Sequence, residues 1–170
     1  TTTGFTTVNY DVWPPLSRAI LLLLMFVGGS AGSTGGAIKV VRVNVLAKHS
    51  IRELKRAVYP RRVTVIRLNG KAVPEEVSSA VLAFVILYLS VFLLAMLAMS
   101  AMGLDFVSAV GAVAATLGNI GPGFGLVGPA CNYSTVPAIG KWLLSFCMLV
   151  GRLEVYTVLS MLVPGFWRRP

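Results

Sequence analysis

The chain has few of the residues on which most protein chemistry depends. Its 170 residues include six Asp and Glu, two Cys and a single His. Cys147 lies in an apolar run and Cys131 in a Gly- and Pro-rich stretch, so neither points to a disulfide or a metal set. His49 falls in a basic segment, where a solvated or lipid-facing side chain is expected. No Ser/His/Asp or Cys/His set can be assembled around it, and enzyme activity is not expected. Lys39 is followed by Val40, so the Gly-rich run before it lacks the Gly-Lys-Ser/Thr of a phosphate-binding loop. Charge as a whole is scarce, at 12% of residues against about 25% in a soluble domain.

What is present is apolar surface, 56% of the residues, with the charge segregated from it. From Val77 to Leu104 and from Phe106 to Gly140 there is no Asp, Glu, Lys or Arg. The first run exceeds the roughly 20 residues that cross a bilayer's hydrocarbon core, so the lipid bilayer is the first expected partner. Ten of the 15 Lys and Arg lie between Lys39 and Lys71, and Arg168 and Arg169 close the chain. The positive-inside rule puts both regions in the cytoplasm. A nucleic-acid surface would interleave aromatics with its basic residues, and Tyr59 is the only aromatic in that interval, so no nucleic-acid partner is expected. Thr1-Thr2-Thr3-Gly4 opens without an initiator Met or a signal peptide, which reads as a chain cut inside a longer protein.

The punctuation predicts an all-α membrane protein in three parts. In residues 1–46 a helix begins near Leu16, but its apolar part, roughly 20 Å long, is too short to span alone. It meets the Gly-rich segment at 28–36, and a helical pattern resumes at Ile38, so the crossing is a helix built to be broken. Residues 47–76 form a basic cytoplasmic connection, where Asn69-Gly70 between apolar runs predicts a small hairpin. Glu75 and Glu76 then suit the first turn of the next helix. In residues 77–170, a transmembrane helix over 77–102 is followed by Asp105 as a cap, and Phe106 to Leu117 makes a half-length helix. A Gly-rich return starts at Gly118, and a final helix runs from about Ala138 to Leu162 with Trp167 and Arg168 as its interface anchor. Helix, re-entrant half-helix, loop and helix make one repeat, and residues 1–46 carry the loop and second helix of an earlier one. Both Gly-rich turns, at 1–7 and 118–128, then open on the outer side.

Irregular backbone at membrane depth is tolerated only where protein buries it or where it lines a water-filled cavity. Carbonyl oxygens in such loops can replace the hydration shell of a cation, and glycine lets successive carbonyls point one way. Thr2-Thr3-Gly4-Phe5-Thr6 and Gly118-Asn119-Ile120-Gly121-Pro122 are candidates for this role. Two strands cannot ring an ion, so at least two more must come from elsewhere. Gly28/Gly32 and Gly32/Gly36 also fit a small-xxx-small packing face. Arg152 falls near mid-membrane, where a charge is costly without partners or water. Glu154 is two residues on and does not share its helical face, so Arg152 is expected to face the pore or the Gly-rich run. A broken-helix secondary transporter for another cation or small solute is the competing function.

Gly28-Gly29-Ser30-Ala31-Gly32-Ser33-Thr34-Gly35-Gly36-Ala37-Ile38-Lys39 resembles the signature of the Trk/Ktr/HKT superfamily of potassium transporters. Asn119 to Gly125 and Gly151 to Thr157 resemble its TrkH branch, and the resemblance covers essentially the whole chain. It implies four repeats around one pore, of which this chain holds the end of the third and all of the fourth. Thr2, Thr3 and Gly4, with Phe5 after them, would be the third strand of a selectivity filter, and Asn119, Ile120 and Gly121 the fourth. Residues Gly28, Gly29, Ser30, Ala31, Gly32, Ser33, Thr34, Gly35 and Gly36 would be the intramembrane gate loop, with Ala37 standing where the family usually has glycine. Arg152 would be the arginine beneath the filter. The resemblance further implies potassium uptake across a bacterial or archaeal cytoplasmic (inner) membrane, K+ as the transported ion and no cofactor. It also implies a homodimer on cytosolic nucleotide-binding regulatory subunits, with 47–71 as a contact to them or a lipid-facing strip.

Overall fold

In the computed structural model, residues 2–30, 32–33, 35–59, 65–68 and 70–153 are described. Five α-helices follow one another: α1 (Pro15–Val27), α2 (Val40–Val58), α3 (Glu75–Ala101), α4 (Phe106–Leu117) and α5 (Ala138–Arg152). Prolines set three of the starts. Pro14, Pro74 and Pro137 are the N-caps of α1, α3 and α5, where a missing N–H costs no helical bond. Among the described residues α3 alone is long and apolar enough to cross a membrane, with a mean hydropathy of 2.8 over its best window. Its first turn carries Glu75 and Glu76, whose charge complements the helix dipole.

The half-length helix α4 sits at the centre. Asp105 caps it, accepting from the Ser108 N–H at 3.2 Å, and Ser108, Ala109 and residues 111–117 are buried. Its small residues let neighbouring backbone approach closely, which favours helix packing where apolar burial offers no advantage over lipid. Gly111 lies against the Phe124 backbone, and a Cβ on Gly123 would stand 2.6 Å from the Gly111 carbonyl oxygen. Around α4 pack Met99 and Ala95 of α3 and Leu144, Cys147 and Val150 of α5. The end of α1 joins α3 through aromatic edges, with Phe26 4.9 Å from Phe92 and 6.4 Å from Tyr88 between ring centroids.

Two helix limits differ from the sequence reading. The helix after the glycine run resumes at Val40, not Ile38, because Ala37 and Lys39 take left-handed backbone, φ 63° and 74°. That helix does not stop at Leu46 but continues as α2 through the basic segment to Val58. The last helix reaches Arg152, where Leu153 caps it, and the expected extension from 154 to Leu162 lies outside the described residues. His49, expected to be solvated or lipid-facing, is half-buried and has side-chain partners. Its Nδ1 lies 2.7 Å from the Ser78 hydroxyl, and Arg52 reaches both that ring, at 3.3 Å, and Glu75, at 3.1 Å. Arg42 lies over the Phe84 ring at 4.1 Å, so α2 is pinned along the first half of α3. Two-residue strands β1 (Arg67–Leu68) and β2 (Lys71–Ala72) pair antiparallel between these helices, Arg67 opposite Ala72. Lys48 donates to the Arg67 carbonyl at 2.7 Å and holds the pair against α2.

Candidate functional site

The two candidate loops turn in the same way. Thr2 and Gly4 have φ of 56° and 75°, and Asn119 and Gly121 have φ of 53° and 114°. In each loop left-handed backbone recurs at every second residue, with Thr3 or Ile120 between. An extended strand sends successive carbonyls to opposite sides, whereas alternating hand sends them to one side, the arrangement that makes a concave binding surface. Left-handed backbone costs a non-glycine residue about 1–2 kcal/mol, so its matched recurrence at a threonine and an asparagine requires support from the surroundings. The loops touch. A Cβ on Gly4 would stand 2.8 Å from the Ile120 carbonyl oxygen, and one on Gly121 would be 3.6 Å from the Gly4 Cα.

The second loop grows out of the last turn of α4. The N–H groups of Gly118, Asn119 and Ile120 donate to the carbonyls of Ala114, Thr116 and Ala115 at 2.9, 3.0 and 2.8 Å. The negative end of the α4 dipole therefore meets this loop, favouring a cation there. The Asn119 side chain donates to the Met148 carbonyl of α5 at 3.0 Å, and Gly151 lies directly against the Leu117 carbonyl. Arg152 is the next residue, at the exposed C-terminal end of α5. The first loop and Ile120 border a cavity of about 260 Å³, closed on its other side by Leu21, Leu24, Met25 and Gly28 at the end of α1.

The glycine run lies against both loops. Gly28 ends α1 at φ 67°, and the chain doubles back so that Ile38 and Val40 donate to the carbonyls of Phe26 and Gly29 at 3.1 and 3.0 Å. A Cβ on Gly35 would come 2.8 Å from the Thr2 hydroxyl oxygen, and one on Gly36 2.5 Å from the Gly118 carbonyl oxygen. The described residues of the segment are not helical, so Gly28, Gly32 and Gly36 do not share a helix face and the small-xxx-small reading fails. Ala31 and Thr34 lie outside the described residues.

Sequence reasoning missed a set of groups behind the second loop. The Tyr10 hydroxyl donates to the Gly123 carbonyl at 2.8 Å, the Tyr133 hydroxyl donates to the Gly121 carbonyl at 2.9 Å, and the Gly125 N–H donates to Asp11 at 3.3 Å. Arg18 approaches Asp11 at 3.8 Å and lies 5.8 Å from the Phe124 ring centroid. Burial pushes the Tyr133 hydroxyl up to about 12, and burial followed by the Asp11 charge does the same for Tyr10, so both remain donors at neutral pH. No local pattern announces the Tyr10 and Asp11 contacts, which join residues more than a hundred positions apart, and the Tyr133 bond spans twelve positions.

Among the described residues, one helix long and apolar enough to cross a membrane, two shorter apolar helices and the opposed loops between them make a helical fold of the membrane-transport class. The TrkH cation transport protein family model matches residues 1–165, and the chain belongs to that family. It is 48% identical over 168 residues to the Trk system potassium uptake protein TrkH of Vibrio parahaemolyticus and 47% identical to that of Escherichia coli K12. Each alignment covers 99% of this chain and 34% of the relative, so the chain spans about a third of the length of the curated relatives it matches. The crystal structure of the potassium transporter TrkH from Vibrio parahaemolyticus superposes with a TM-score of 0.89 at 47% identity, covering 99% of this chain and 36% of that one.

Proposed function

We propose that this chain supplies two adjacent strands of a potassium filter, Thr2–Phe5 and Asn119–Gly121, to an uptake protein of a bacterial cytoplasmic membrane. The observation that carries the reading is the matched left-handed backbone at Thr2/Gly4 and Asn119/Gly121 in two loops that touch. Carbonyls turned to one side suit a dehydrated monovalent cation better than a solute needing dedicated side chains. The α4 dipole adds its negative end, and the names of the relatives above give the ion as potassium. The 28–36 segment is the gate: Gly35 rests on Thr2 from one loop and Gly36 on Gly118 from the other, so its displacement opens the inner face of both. Arg152 stands beneath the filter and sets an electrostatic barrier to resting cations. Partners are a second copy of the full-length protein and a cytosolic nucleotide-binding regulatory subunit, met by the basic face of α2.

The test is rubidium uptake by cells depending on the full-length protein. Gly121→Ala places a side chain at φ 114° in the filter and is expected to lower uptake more than tenfold at normal membrane abundance. Wild-type uptake would overturn the filter reading. Arg152→Ala is expected to raise cation leak, and unchanged flux at normal abundance removes the barrier role.

A further inference from the structure

The peptide that joins Gly121 to Pro122 is unusual in how it can be held. Proline has no N–H, so this peptide can be fastened only through the Gly121 carbonyl oxygen. Gly121 has no side chain to limit its rotation, and among the described residues, its chain neighbours aside, only the Gly4 Cα lies within 4 Å of the place a Cβ would occupy. The Tyr133 hydroxyl takes that oxygen at 2.9 Å. Tyr133 itself rides on a short 3-10 turn, Tyr133–Thr135, closed by the Ser134 N–H donating to Asn132 at 2.9 Å and by Lys141 reaching the Ser134 carbonyl at 3.2 Å. The first loop differs here, because Phe5 follows Gly4 and leaves that peptide an N–H.

We infer that Tyr133 is a positioning residue for ion selectivity, its hydroxyl fixing the direction of the Gly121 carbonyl at the outer end of the second filter strand. The inference rests on the filter reading above. Discrimination between K+ and Na+ depends on how many carbonyls face the ion and how firmly they are held. A glycine carbonyl released from its hydroxyl can tilt toward a smaller ion, which narrows the difference between the two.

The experiment is the K+/Na+ permeability ratio of the full-length protein reconstituted in liposomes, measured for the wild type, Tyr133→Phe and Gly121→Ala. Tyr133→Phe keeps the ring and removes only the donor, and the ratio does not depend on how much protein is recovered. A fall of about fivefold with cation flux retained is expected, which equals about 1 kcal/mol at 1.4 kcal/mol per tenfold. A merely structural tyrosine would alter thermal stability and yield while leaving the ratio alone. If Tyr133→Phe keeps the wild-type ratio while Gly121→Ala loses uptake, the positioning role is overturned and the filter reading stands. If Gly121→Ala also behaves as wild type, the filter reading fails and this inference fails with it.

Discussion

The loop at 2–6 and the loop at 118–122 share their backbone hand position by position, Thr2 with Asn119 and Gly4 with Gly121, yet they are held in different ways. The second is built into the core: α4 feeds it three backbone bonds, Asn119 ties it to α5, and Tyr133 takes its last carbonyl. The first leans on the second through Gly4 and on the glycine run through Thr2, while Phe5 is 94% exposed. The same conformation is thus reached once by local scaffolding and once by contact with an already ordered neighbour. The difference ranks the two loops by what a substitution should do to each.

The largest effect is expected at Gly4. Alanine there meets left-handed backbone, about 1–2 kcal/mol, and also the Ile120 carbonyl oxygen at 2.8 Å, an overpacking cost of about 1–3 kcal/mol. Gly121→Ala carries the backbone strain with nothing nearer than 3.6 Å. Melting temperature in detergent should therefore fall further for Gly4→Ala than for Gly121→Ala; the reverse order would mean that the first loop does not lean on the second. A smaller effect sharpens the comparison inside the glycine run. Gly36→Ala drives a methyl group to 2.5 Å from the Gly118 carbonyl oxygen, whereas Gly32 has nothing within 4 Å among the described residues. Gly36→Ala should cost about 1–3 kcal/mol and impair uptake, with Gly32→Ala within about 0.5 kcal/mol of wild type. Equal behaviour of the two would remove the contact between the run and the second loop.

Elements with strong local signals were legible in the sequence. The limits of α4 follow from Asp105 before it and Gly118 after it, and α3 follows from an uncharged run opened by Glu75 and Glu76. The break after Val27 was legible because glycine ends the helix, but its far end was not. Ala37 and Lys39 adopt left-handed backbone that neither residue type advertises; the fold imposes it through the Ile38 bond back to Phe26 of α1 and the Val40 bond to Gly29. The glycine-bearing loops could be picked out as candidates, whereas the tyrosines and Asp11 behind them could not. Their partners are backbone atoms that the tertiary structure alone brings within reach. The partner of His49 was hidden for the same reason, since Ser78 becomes its neighbour only when α2 lies along α3.

The smallest effect concerns the scaffold that distinguishes the second loop. Of the five helices, only α4 has a side-chain N-cap among the described residues, and it is the helix on which that loop is built. Asp105→Ala should cost about 1 kcal/mol of stability at neutral pH. Hydrogen bonding from Ser108 is the main cause holding the Asp105 carboxyl below its ordinary value. The sign then follows: a carboxyl depressed in the folded state stabilises fully above its unfolded value of about 3.9, and the contribution is lost as pH falls through the folded value. The gap between wild type and Asp105→Ala should therefore be widest near pH 7 and close below about pH 4, read by thermal melting in detergent. A gap that persists unchanged at low pH would assign the loss to packing and leave the α4 scaffold without its electrostatic cap.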